Sequence, residues 1–254
     1  MNLRSSTFAA VFGLTLCTGT QASPGHEGHI QATKNKDVAP TFDIVHAKIT
    51  RDGANLVFQQ QTAGEFGTIK PQKTGKLPGS DVFSYVWPTS LDSSIVGFEP
   101  KQGILALVLT THPDFDDTPK YDENRDGTNN NDGNVWHSHW VVLTDDTRCG
   151  PTALKVKDIP EGATPKLPST WPGLPLLLDS PGYEPNLSGK EVTVNVPMKD
   201  LGFPDTFKFD GVSAGLQVNA NAHNPLLCVT KVHDIASGDL SLPGFLLPEQ
   251  VASK

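Results

Sequence analysis

Residues 135–143 read Val-Trp-His-Ser-His-Trp-Val-Val-Leu and set two imidazoles one residue apart. In an extended chain successive side chains point to opposite faces, so His137 and His139 share one face while Trp136, Ser138 and Trp140 take the other. Two neighbouring neutral imidazoles are the beginning of a zinc or copper site. The apolar run 104–111 continues into His112. If that run pairs antiparallel with 135–143 and His112 lies opposite His137, three imidazoles face one way. The plainer alternative is imidazoles that hydrogen-bond across the fold or lie on its wet face. His46, His223 and His233 are spare ligands, and Asn221-Ala-His223-Asn-Pro is a turn able to approach the same end.

Between these two runs, residues 113–134 carry seven acids against Lys120 and Arg125, a local charge of −5. Within them Asp122-Glu-Asn124-Arg-Asp126-Gly-Thr128 repeats the first seven positions of an EF-hand loop, where alternate oxygens face a calcium ion and glycine permits the sharp turn. The twelfth position is Gly133 in place of the usual glutamate, and Asp132 stands beside it as a substitute ligand. The spacing therefore points to calcium held by Asp122, Asn124, Asp126, Thr128 and Asp132. A solvated turn tolerant of left-handed backbone is the competing reading.

A third motif, Gly211-Val-Ser213-Ala-Gly215, matches the nucleophile elbow of serine hydrolases, with Asp234 and His223 or His233 downstream. An elbow needs a helix after the serine, whereas Leu216-Gln-Val218 reads as extended, so the glycines are read as turn or bulge positions.

The segments that must position these residues are short and extended. Phe42–Ile49 alternates, with Phe42, Ile44, His46 and Lys48 on one side and Asp43, Val45, Ala47 and Ile49 on the other, and Asp52-Gly53 turns it into 55–62 as a hairpin. Further strands are expected at 82–86, 95–98, 103–111, 135–144, 153–156, 192–196, 207–209, 215–218 and 227–232, with one helical turn near 198–201. Many strands, punctuated by 23 Gly and 21 Pro and without alternating helices, predict an all-β fold: an antiparallel β-sandwich with long loops and little helix. Prolines at 160, 165, 168, 172, 175, 181 and 185 bar residues 159–187 from central strands. Trp171, Leu174 and the leucines 176–178 are too apolar for a free linker, so this segment is expected to lie across the core as an ordered loop.

Arg4 and the apolar run 8–16, with small residues at Thr20 and Ala22, form a signal peptide over residues 1–22, shorter than a membrane span. Residues 23–40, which include His26-Glu-Gly-His29, are polar and expected to trail as a flexible arm, leaving 41–254 as a single domain. Cys17 leaves with the signal, so Cys149 and Cys228 are expected to pair in an oxidising compartment, periplasmic or secreted. The remaining 28 acidic and 19 basic side chains repel phosphate backbones, which argues against nucleic acid, and no later stretch is long and apolar enough to be an integral membrane segment.

The run 43–58 (Asp-Ile-Val-His-Ala-Lys-Ile-Thr-Arg-Asp-Gly-Ala-Asn-Leu-Val-Phe) and the later Val194-Asn-Val-Pro-Met-Lys-Asp-Leu-Gly-Phe-Pro with Phe207-Lys-Phe resemble passages of DOMON-like and family 9 carbohydrate-binding β-sandwiches. That resemblance, over about a third of the chain, implies a sandwich that binds sugar, haem or metal. Taken together, the residues describe an exported metal-binding protein, with calcium in the Asp/Asn loop and zinc or copper at the His-x-His strand, that acts as an accessory or ligand-binding protein. Its partners are metal ions and a small-molecule or glycan ligand. The alternatives are a zinc- or copper-dependent enzyme and a carbohydrate-binding module with Trp87, Trp136, Trp140 and Trp171 as stacking platforms.

Overall fold

A computed structural model describes residues 28–72, 79–112, 135–219 and 226–248. The Asp/Asn loop residues Asp122, Asn124, Asp126, Thr128 and Asp132, the signal segment 1–22 and His223 lie outside them. In chain order the strands are β1 (Ile30–Gln31), β2 (Ile44–Asp52), β3 (Asn55–Thr62), β4 (Asp81–Pro88), β5 (Ile104–Thr111), β6 (His137–Asp145) and β7 (Leu154–Val156). They continue as β8 (Leu178–Asp179), β9 (Pro185–Ser188), β10 (Glu191–Pro197), β11 (Lys208–Phe209), β12 (Val212–Val218), β13 (Leu227–Ile235) and β14 (Gly244–Phe245). Helix is confined to short 3-10 turns among the described residues.

The expectation of an antiparallel all-β chain holds, while the layers depart from a plain two-sheet sandwich. β5, β4, β12, β13, β7 and β6 pair in series, and β6 pairs back onto β5, so this sheet closes into a six-stranded barrel. A second sheet, in the order β1-β2-β3-β10-β9, covers one wall of it. Closure follows from residues that are apolar on both faces. Along β4, β5 and β6, Val82, Val86, Val108 and Val141 face the lumen, while Tyr85, Trp87, Leu107 and Trp140 pack against Ile44, Phe58, Val192 and Val194 of the covering sheet. Strands buried on both faces lose the alternation of a half-wet strand, and pairing β5 to β6 removes the exposed edges that an open sheet would leave.

Local sequence accounts for most boundaries. The β2–β3 hairpin forms as expected, with Asp52 opposite Asn55 and Gly53 at φ +56°. A bulge between Ile44 and His46 breaks the expected strict alternation and turns Ile44 inward with Ala47 and Ile49. Residues 95–98 are not a strand. Asp92 caps a 3-10 turn over Ser93–Val96 through the Ser94 N–H, and Gly97 at φ +107° ends it. The turn expected near 198–201 is present as Met198–Leu201. The segment expected to trail as an arm is tied down from Gly28 onward, since β1 pairs with β2 and Ile30 is buried.

The proline-rich stretch 159–187 is ordered and contributes to the core. Leu174, Leu176 and Leu178 reach the barrel lumen, β8 pairs with β6, and the Trp171 indole N–H donates to the Leu176 carbonyl at 3.1 Å. Cys149 and Cys228 form the expected disulfide, with a Cα–Cα distance of 5.3 Å. No helix among the described residues is long and apolar enough to cross a membrane.

Candidate functional site

The antiparallel register of β5 and β6 sets Thr110 opposite His137 and Val108 opposite His139. His112, two residues beyond Thr110, is therefore the diagonal neighbour of His137 and not, as expected, its direct partner. Diagonal neighbours on one face lie within reach of long side chains. Their Nε2 atoms are 3.1 Å apart, with ring planes at 79°. The Nδ1 atom of His137 lies 2.8 Å from the Val135 carbonyl oxygen, so Nδ1 carries the hydrogen and Nε2 keeps its lone pair. Two imidazole nitrogens on one tetrahedral zinc, each about 2.0–2.1 Å from the ion, stand about 3.3 Å apart. The observed spacing suits a shared ion, and it equally suits an N–H···N bond from His112 when no ion is bound.

His139 lies on the same face, its ring centroid 4.7 Å from that of His137 and the two planes perpendicular. Its Nδ1 atom is 3.0 Å from the Ser180 hydroxyl and 3.3 Å from the Asp179 carbonyl oxygen. Asp179 is fixed in turn by a 2.6 Å hydrogen bond from the Thr170 hydroxyl. The three imidazoles are thus gathered, but among the described residues no group of three or more His, Cys, Asp or Glu side chains is disposed to hold a metal ion. The pair that converges is His112 with His137, while His139 is held toward Ser180. No family model, curated protein or solved structure matches this chain. The geometry of these side chains alone has to indicate what they do.

All three imidazoles are buried at the lumen end of the barrel wall, and His112 and His139 line a cavity of about 110 Å³. The opposite face of β6 is structural. Trp136 and Trp140 are buried between the barrel and the covering sheet, and the Ser138 hydroxyl donates to the Tyr183 carbonyl at 2.7 Å. Trp87 is likewise fully buried, so three of the four tryptophans are core residues and not platforms for a sugar. Of the spare imidazoles, His46 packs edge-on to His29, with centroids 5.3 Å apart, and His233 stacks on Phe42, with centroids 4.2 Å apart. Burial depresses both pKa values; the neighbouring His29 adds to this for His46, as does Lys231 for His233.

Ser213 is not a nucleophile at an elbow. It sits inside β12, fully buried, and its hydroxyl donates to the Phe42 carbonyl at 2.6 Å. Two polar residues that motif reading passed over are Ser84 and Thr110. Both face the lumen among valines, and neither hydroxyl has a hydrogen-bond partner among the described residues. Their signal was present in the sequence, as single polar residues on an otherwise apolar alternating face.

Proposed function

We propose that this is an exported metal-binding β-barrel protein, in which His112 and His137 together take one zinc or copper ion at the end of the lumen, and that it works as an accessory or ligand-binding protein. The observation that carries this reading is the 3.1 Å approach of two Nε2 atoms on one buried face, with the His137 ring oriented through Nδ1 by a backbone carbonyl. Metal-ligating histidines are characteristically oriented in this way, which fixes the tautomer and leaves the other nitrogen for the ion. His139 stands next along the same face as a further imidazole. Calcium binding by Asp122, Asn124, Asp126, Thr128 and Asp132 belongs to the same proposal and rests on their spacing in the sequence.

Elemental analysis of the purified protein, followed by titration of chelator-treated protein with zinc, copper and calcium, tests both halves. One zinc or copper ion per chain is expected, with affinity falling below pH ~6 as the imidazoles protonate. His112→Ala with His137→Ala should weaken that ion at least a hundred-fold and leave calcium unaffected. Equal transition-metal binding by wild type and variant overturns the site.

A further inference from the structure

The barrel lumen contains a row of small side chains. Thr110, Ser84 and Ala214 are successive ladder partners on β5, β4 and β12. The adjoining row on the same strands is Val108, Val86 and Val212, and Val82 faces Leu216 on the other side. Small groups between rows of larger ones leave a void, and a cavity of about 110 Å³ lies here. Apolar cavities of about 150 Å³ hold benzene, so this one suits a molecule of about four to six non-hydrogen atoms.

The cavity is not uniformly apolar. Ser84 is fully buried and Thr110 is 5% exposed; both side chains line the void, and among the described residues neither hydroxyl finds a hydrogen-bond partner, including the other hydroxyl. As direct cross-strand neighbours their Cβ atoms lie about 5 Å apart, which lets one oxygen atom lodged between them accept from both. A buried hydroxyl without a partner is costly, and protein cores seldom retain two of them side by side. We propose that the lumen is a binding site for a small neutral molecule with a compact apolar body and one carbonyl or hydroxyl oxygen, which Ser84 and Thr110 grip while the valine and leucine rows enclose the body. His112 and His139 border the same space, so an occupant would lie against the imidazoles. The proposal uses other side chains than the metal site and does not depend on an ion being bound.

Butanone, with five non-hydrogen atoms and one acceptor oxygen, and xenon, which is apolar only, are suitable probes. Both are titrated into the chelator-treated full chain and followed by amide chemical shifts, so the result stands apart from metal binding. Butanone should give saturable shifts confined to β4, β5, β6 and β12. Ser84→Ala with Thr110→Val should weaken butanone at least ten-fold and leave xenon binding equal or stronger. This variant replaces unpartnered hydroxyls by groups of similar shape, and a thermal midpoint no lower than wild type shows that it folds. Equal butanone affinity in the two proteins would mean that the hydroxyls do not grip a ligand. Failure of butanone to enter the wild-type lumen, as when ordered water fills it, overturns the proposal outright.

Discussion

Breaking the disulfide should open the barrel along a defined line. β13 meets β12 over seven ladder pairs but meets β7 at one, Cys228 with Lys155. Around that single pair the seam is crossed by the Thr152 hydroxyl donating to the Val229 carbonyl and by the Leu226 N–H at 3.4 Å from Asp158, while the Lys155 ammonium, between Asp146 and Asp158, stays on the β6–β7 side. A hydrogen bond contributes about 1 kcal/mol, so across this seam the Cys149–Cys228 bond is the principal closure. Its partners are 79 residues apart, for which the chain-entropy model gives about 4.5 kcal/mol as an upper figure. For a domain of this size each kcal/mol moves the midpoint by about 2–4 °C, so Cys149→Ala with Cys228→Ala should lower it by up to about 9–18 °C. Urea unfolding supplies the free energy, and hydrogen exchange locates the change. Protection should fall first in β7, in β13 and around Leu174, Leu176 and Leu178, which fill the lumen beside them. A loss below about 1 kcal/mol with unchanged denaturant slope, or a uniform loss of protection across the barrel, would refute the idea that this bond closes a weak seam.

Stability should also fall on acidification. His46 and His233 have pKa values held below the ordinary 6.5 by burial, so the unfolded chain takes up these protons before the folded one does. The stability they confer is complete above pH ~6.5 and is lost as pH drops below it; the urea midpoint should be lower at pH 5.5 than at pH 7.5, and His46→Gln with His233→Gln should flatten the dependence, an unchanged slope counting against it. Ser213→Ala should cost about 1 kcal/mol by removing the bond to the Phe42 carbonyl, and a fluorophosphonate probe should leave the wild-type serine unlabelled, whereas covalent modification of Ser213 would restore the hydrolase reading.

What the sequence made legible and what it hid divide along one physical line. Period and turn chemistry are local, so the β2–β3 hairpin, the extents of β5 and β6, the turn at Met198–Leu201 and the Cys149–Cys228 pair could be read directly. The strand expected over 95–98 failed for a local reason too: Asp92 and Gly97 are cap residues, and they fold Ser93–Val96 into a single 3-10 turn. Closure is not local. The apolar run 104–111 announces burial on both faces, yet a sandwich interior and a barrel wall make the same demand, and only the return pairing of β6 onto β5 decides between them. The site shows the same division. Alternation put His137 and His139 on one face, but register, which a two-residue slip would preserve in pattern, determined that His112 is a diagonal neighbour and that Thr110 is the direct one. That slip matters chemically, because it puts the Thr110 hydroxyl instead of the His112 imidazole opposite His137. The face that looked like a three-histidine centre is therefore two convergent imidazoles beside an apolar chamber that carries two hydroxyls with no partner among the described residues.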